Sequence, residues 1–248
     1  MKPVDTVLID ADITAFSVCA AAEVETEWDD DVWTLHSDFS KVQSDFGDAI
    51  RAIQDMTAAK NVVLTFTGPQ NFRKEIYPDY KGNRKSRKPM HLKRVKEWAA
   101  TVWEAHTWEG LEADDVLGIM ATNSPTSGVY SHDKDLKTVP AMLWNHDERF
   151  FYKQDERIAD HYWMTQTLTG DSTDGYPGCP GIGPKKAADM LGEPGEKALP
   201  ELWEQVVRIY EAKGFDEDYA LTQARLARIL RNTDYNHEKG VTLWTPTK

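Results

Sequence analysis

Residues 168–191, LTGDSTDGYPGCPGIGPKKAADML, join two unlike chemistries in one short stretch. The first half sets Asp171 and Asp174 three positions apart at the end of a helical run. The second half is a Gly/Pro hairpin, residues 178–184, running into Lys185, Lys186 and an apolar turn. Pro184 suits the first turn of a helix, where its missing N–H costs nothing. Gly181 and Gly183 permit a sharp turn and a close backbone approach to a ligand. Free N–H groups at such a helix start, beside two lysines, make an anion site. The stretch therefore offers carboxylates for a metal and, a few residues on, a clamp for phosphate. That pairing is what holding and cutting a nucleic-acid backbone requires. The plainer alternative is an ordinary loop before an ordinary helix.

Other acids sit at comparable places. Asp10 closes an apolar run of β character, residues 4–9. Glu112, Asp114 and Asp115 open the helical residues 116–121, and Asp133 and Asp135 follow a strand at 128–130. Singly, each has a structural explanation: a helix N-terminus for Asp114 and Asp115, a turn cap for Asp133. Jointly they point elsewhere, because parallel strands deliver their C-terminal ends to one edge. Eight carboxylates cannot share a region as bare charges without several becoming protonated. A divalent cation resolves this, and all-oxygen ligands select Mg²⁺ or Mn²⁺. Two such ions ~4 Å apart would stabilise both the attacking and the leaving oxygen of a phosphodiester displacement.

A basic segment complements the acids. Residues 73–96 hold ten Lys/Arg and two acids, a local +8 that leaves −20 on the rest of a chain with net charge −12. Arg73, Lys74, Lys81, Arg84, Lys85, Arg87 and Lys88 alternate with Phe72, Tyr77 and Tyr80. Cations that follow phosphates and aromatics that stack on bases suit single-stranded nucleic acid; Tyr80 is the aromatic favoured for substrate contact. A solvated loop is the alternative.

The chain has 248 residues, 40% hydrophobic and 28% charged, as in a soluble globular protein of one large domain or a domain with a subdomain. No apolar run approaches the ~18 residues of a membrane span, and Met1 to Asp12 does not read as a secretory signal. Cys19 and Cys179 lie far apart with no metal-ligand spacing, which fits a reducing cytoplasm. Elsewhere the patterns predict helices over 11–22, 39–57 and 90–105, and strands over 62–66, 142–145 and 150–152. Residues 23–31 read as an acidic loop or edge hairpin. From 155 to about 231 the pattern is helical, with amphipathic stretches at 202–210 and 219–230. Trp98, Trp103 and Trp163 read as core, and His132 as structural.

Together these residues resemble the flap endonuclease/5′→3′ exonuclease family, including the 5′-nuclease domains of bacterial DNA polymerase I. The likeness is nearest in style to compact phage exonucleases. Five motifs stand in the family's order: LIDAD at 8–12, FRKEIYPDYKGNR at 72–84, GLEADD at 110–115, SHDKDL at 131–136 and GDSTDGYPGCPGIGPKKA at 170–187. The resemblance implies an α/β, PIN-like parallel-sheet nuclease core with a helical arch, over 1–165 (arch about 73–105). A helix-hairpin-helix and C-terminal helical subdomain follow, over 166–248. It implies metal-dependent hydrolysis of DNA from a 5′ end, nick or flap, and of RNA in RNA–DNA hybrids, by a monomer in a bacterial host's cytoplasm, off the membrane.

Carried over by position, Asp10, Glu112, Asp114 and Asp115 would serve a first metal region. Asp133, Asp135, Asp171 and Asp174 would serve a second. Lys81 and Arg84 would neutralise the scissile phosphate. The basic segment would pass the 5′ strand, and Gly181, Gly183, Lys185 and Lys186 would hold the duplex. A K⁺ ion would sit on carbonyls of Gly178, Gly181 and Gly183.

Two positions depart from the family pattern: Thr67 where an acid usually follows the second strand, and Gly175 where Asn commonly stands. Two other readings stand beside this one. The first is a DNA-binding protein with an impaired nuclease core, which Thr67 favours. The second is a haloacid-dehalogenase-like phosphatase, from the D-x-D-x-T match at Asp10 to Thr14; it leaves the other motifs unexplained.

Overall fold

Strand β1 (Thr6–Asp10) is apolar on both faces, the signature of a strand covered on both sides, and it lies inside a six-stranded sheet. The computed structural model describes residues 4–246, so Met1 to Pro3 of the N-terminal reading lie outside the described residues. After β1 come α1 (Ala11–Ala21), the hairpin β2 (Glu23–Asp29) and β3 (Val32–Ser37), α2 (Phe39–Thr57) and β4 (Asn61–Thr65). The middle of the chain forms α3 (Arg73–Ile76), α4 (Leu92–Val102), β5 (Glu104–His106), α5 (Ala113–Asn123), β6 (Ser127–Tyr130), β7 (Met142–Asn145) and β8 (Phe150–Lys153). Helices α6 (Glu156–Thr169), α7 (Pro184–Leu191), α8 (Leu199–Glu211) and α9 (Glu217–Ala227) follow, then a short ribbon of β9 (Tyr235–Asn236) and β10 (Gly240–Val241).

The main sheet has the order β5-β4-β1-β6-β7-β8, parallel except for β8. The α/β expectation is met. Register puts Asp10 level with Thr65 of β4, and Ile9 level with Tyr130 of β6. The chain winds from β1 outward to β4 and β5, then returns to place β6 on the other side of β1. Between β1 and β6 the winding reverses, and a crevice at the carboxyl ends of the strands results.

Helices α1, α2 and α4 cover one face around Phe46, Ile50, Val95 and Ala99. On the other face Leu117 of α5 packs on Leu8, Val63 and Val129. A separate helical cluster joins Trp163 and Leu168 of α6 to Ala187, Val206 and Ala224; it also takes in Tyr80 from the basic segment. The Trp163 indole donates to Ala224 O at 2.8 Å, and the Tyr210 hydroxyl to Thr167 O at 2.6 Å, so the polar tips of these two buried aromatics are paired.

Several boundaries differ from the sequence reading. The helix expected over 90–105 stops at Val102, and Glu104–His106 form an edge strand whose three residues are too few to show a period. The acidic stretch 23–31 is half of the antiparallel β2–β3 hairpin. The last helix ends at Ala227, and Arg228 to Arg231 run extended and buried along α5. The basic segment is helical only at α3 and α4, with residues 77–91 in turns and coil. Val95 and Ala99 fasten α4 to the core.

Candidate active site

Asp10 ends β1 and caps α1, its carboxylate accepting from Asp12 N at 3.3 Å. Its other oxygen accepts from Ser131 Oγ at 3.1 Å, and Ser131 Oγ in turn accepts from Asp133 N at 3.0 Å. One hydroxyl thus ties the ends of β1 and β6 across the crevice. Burial, then the neighbouring Asp12, push the Asp10 carboxyl up to about 7. Asp133 caps the 3-10 turn at Lys134–Thr138, accepting from Asp135 N at 2.8 Å. Asp135 accepts from Gln166 Nε2 of α6 at 2.5 Å, and burial and Asp133 raise it to about 6. Lys134 reaches Asp171 at 3.2 Å; despite burial, backbone N–H donors and this ammonium hold the Asp171 carboxyl below its usual range.

A second group surrounds the start of α5. Ligand atoms of Glu112, Asp114 and Asp115 lie within 4.8 Å of one another. Arg73 forks onto both oxygens of Asp115 at 2.7 and 2.8 Å and approaches Glu112 at 3.4 Å; its remaining N–H groups reach Leu226 O and Arg228 O. Lys81 Nζ binds Glu112 and lies 3.5 Å from Asp174. The Tyr80 hydroxyl stands 3.0 Å from Glu112 and 2.9 Å from Asp174, and Arg84 pairs with Asp174 at 2.8 Å. Burial would raise Glu112, but Arg73 and Lys81 outweigh it and hold this carboxyl low. Asp114 goes the other way, raised well above the carboxylate range by burial, Asp115 and Glu112.

This geometry corrects four assignments. Arg73 is not a DNA contact: only 2% exposed, it is the buried counter-ion of Asp115. Asp115 is accordingly no free ligand, since Arg73 takes both of its oxygens. Tyr80, also 2% exposed, cannot stack on a base; it braces Glu112 and Asp174 from within. Asp174 shares its partners with Glu112 rather than with Asp133. Of the three glycines expected to hold K⁺, Gly181 offers a carbonyl that accepts from Lys186 Nζ at 2.9 Å, and Gly178 is buried.

Lys74, Lys85, Lys88, Lys185 and Lys186 are exposed, as are Gly181 and Gly183. Arg87 is exposed but forks onto Glu23 at 2.9 and 2.6 Å, which holds that carboxyl at about 2.

Thr67 has a defined task. Its hydroxyl accepts from Ala113 N at 3.1 Å at the start of α5, and its N–H donates to Asp12 at 2.9 Å. Asp12 also pairs with Lys96 of α4, so the acid that the phosphatase reading needs is already committed. Gly175 has φ +78°, a left-handed conformation that Asn also tolerates, so its departure from the family pattern preserves the turn.

Ser131, Lys134 and Gln166 carry no role in the sequence reading, and Asp12 carries one only in the phosphatase alternative. Ser131 had a signal: a serine two residues before Asp133 can accept from that residue's N–H. Gln166 had none, because its partner lies on another element.

Carboxylates at the switch point of a parallel sheet, with Lys81 and Arg84 paired to two of them, define an α/β protein with a candidate site for divalent cations. The donor set is oxygen throughout, and Asp10, Asp114 and Asp135 are all raised by burial and then by neighbouring carboxylates, a repulsion that a cation would relieve. Residues 6–163 match the family described as "5'-3' exonuclease, N-terminal resolvase-like domain". An exonuclease of Escherichia phage T7 is 31% identical over 96% of this chain and 93% of its own length. An exodeoxyribonuclease of Enterobacteria phage T3 is 30% identical over 96% and 92%. The phage T5 D15 flap endonuclease, solved with DNA and metal ions, superposes with a TM-score of 0.60 at 17% identity, over 92% of this chain and 89% of that one. The chain belongs to the 5′–3′ exonuclease family.

Proposed function

We propose that this protein hydrolyses DNA from a 5′ terminus, nick or flap, leaving 5′-phosphate products, with Mg²⁺ or Mn²⁺ held by Asp10, Glu112, Asp114, Asp133, Asp135, Asp171 and Asp174. The observation that carries the reading is the gathering of these carboxylates at one sheet edge with Lys81 and Arg84 laid over them. Divalent cations bound there would acidify the attacking water and polarise the scissile phosphate. The chain's own residues do the rest. Lys81 and Arg84 leave Glu112 and Asp174 for the phosphate oxygens and offset the charge that grows there. Ser131 keeps Asp10 and Asp133 in register.

Lys74, Lys85 and Lys88 meet the entering strand. Gly181, Gly183, Lys185 and Lys186 grip duplex backbone at the start of α7, in the manner of a helix-hairpin-helix. Such contacts read phosphates and no base edge, so RNA paired to DNA belongs to the proposed substrates as well. Residues 1–165 act as the catalytic unit and 166–248 as the duplex-holding unit of a monomer working in a bacterial host's cytoplasm.

The test is digestion of 5′- and 3′-labelled blunt, nicked and flapped duplexes with Mg²⁺. Release of 5′-terminal products, blocked by a chelator, is expected. Intact substrate under all conditions would favour a binding protein with an impaired core.

A further inference from the structure

Beside Asp133 a cavity of about 360 Å³ opens between the ends of β6 and β7. Two imidazoles line it face to face: His132 and His146, centroids 3.8 Å apart and 21° from parallel. Tyr130 meets both edge-on, at 6.0 and 4.9 Å. His146 is anchored, its Nε2 lying 2.8 Å from Ser131 O, whereas His132 is exposed. Exposed Lys137, Lys134 (paired with Asp171 at 3.2 Å) and the Asn145 side chain add polar groups to the wall. The two imidazoles, Lys137 and Asn145 have no part in the hydrolytic scheme above.

A flat aromatic pair, two ammonium groups and an amide answer the three parts of a nucleotide: a π-face, a phosphate and a hydrogen-bonding base edge. The volume lies at the lower end of small-molecule pockets, room for one nucleotide and no more. Asp133 belongs both to this wall and to the carboxylate line, so a nucleotide seated here has its phosphodiester at the reacting edge. Asp133 and Asp147 in the wall oppose a bare polyanion, so base stacking must supply the discrimination.

We infer that this cavity receives the 5′-terminal nucleotide of the substrate, its base held on the His132–His146 stack. The inference rests on the nuclease reading and makes the cavity its terminus-recognition subsite.

Calorimetric titration of the full chain with deoxyadenosine 5′-monophosphate, deoxyribose 5-phosphate and inorganic phosphate tests it. The nucleotide should bind about tenfold or more tightly than the sugar phosphate, as expected for one stacked base. His132→Ala should erase most of that difference and His132→Phe should restore it. Equal affinities in the wild type, or an unchanged preference in His132→Ala, overturn the inference.

A kinetic arm uses duplexes whose 5′-terminal residue is abasic. The wild type should cut them more slowly than normal ends, and His132→Ala should treat both alike. An enzyme that digests ordinary duplex but fails these discriminations sinks the subsite alone. One that digests nothing sinks the nuclease reading and the subsite with it.

Discussion

The carboxylates at the sheet edge fall into two halves that the same residue types build in opposite ways. Around α5, Glu112, Asp115 and Asp174 are met by Arg73, Lys81 and Arg84, with the Tyr80 hydroxyl between them. Around β1 and β6, Asp10, Asp133 and Asp135 are met by a hydroxyl, an amide and backbone N–H groups, while the exposed ammonium of Lys134 pairs with Asp171. Glu112 is held ionised, while Asp10 is driven up to about 7. The first half is therefore a brace that holds Glu112 ionised, although Asp114 within it is driven up by burial, Asp115 and Glu112. The second is a crowded arrangement held in place by the fold without such a brace, and a divalent cation would relieve it as it would relieve Asp114.

The brace can be broken most severely at Arg73. Arg73→Met leaves Asp115 buried at 0% exposure with no counter-charge, and losing one partner of a buried pair costs ~3–5 kcal/mol. Urea unfolding should show stability lowered by that amount, read as the fall in midpoint multiplied by the m-value. A variant as stable as wild type would mean that Asp115 is not braced by charge.

Asp10→Asn tests the crowded half and should behave oppositely on its two readouts. Cleavage should fall by ~100-fold or more, as for a group lost from the transition state. Stability at pH 8 should instead rise by about 1–3 kcal/mol. The sign follows from linkage: the Asp10 carboxyl titrates near 3.8 unfolded and about 7 folded, so the native state binds the extra proton and stability falls as pH rises from about 4 to 7. Asn removes that loss. A variant less stable at pH 8 would overturn the crowding account.

Lys81 sits at φ +55°, an uncommon conformation for a side chain of this kind, fixed by its N–H donating to Asp174 O at 2.7 Å. Lys81→Met should lower kcat by about 10- to 100-fold with little change in KM; an effect confined to KM would remove it from the transition state. Mg²⁺ should raise Tm more at pH 8 than at pH 5.5, because Asp10 and Asp135, at about 7 and about 6, hold protons that compete with the metal at the lower pH. Equal gains at both pH values would show that these two carboxyls do not take part in cation binding.

Much of this was legible because its signals are local. Strand-end acids, the alternation of β and α runs and the order of the five motifs all sit in short stretches, so the parallel sheet and its edge followed. Pairing was not legible. Arg73 and Tyr80 looked like substrate contacts because basic and aromatic residues in a row suggest an exposed binding strip. Their burial comes from α9 and α5, which arrive from 153 and 42 positions away in the chain. The β5 strand was hidden by its three-residue length, and the His132–His146 stack joins residues on different loops. Thr67 looked like a deficit because only its missing charge shows in sequence. Its hydroxyl on Ala113 N and its N–H on Asp12 are visible only in space.

The two halves are joined by one short loop, which gives the mildest and sharpest test of the contrast. Asp171 Oδ1 accepts from Thr173 N at 2.7 Å and its carboxylate reaches Lys134, while three residues on Asp174 meets Lys81 and Arg84. Gly175 turns the chain back at φ +78° so that Tyr176 N can return to Asp171 O at 3.2 Å. Asn tolerates this conformation, and an added Cβ would lie 3.3 Å from Asp79 O, so a slight give of that turn suffices. Gly175→Asn should therefore cost under ~1 kcal/mol in thermal unfolding and leave cleavage within about twofold. Gly175→Val keeps the volume modest but cannot hold the positive φ, so relaxation of the loop would pull Asp174 from Lys81 while Asp171 stays on Lys134. Its signature would be lost cleavage with the Arg73–Asp115 brace and global stability largely kept. If both variants lose activity equally, space rather than backbone conformation governs the loop, and the two halves are not coupled through it.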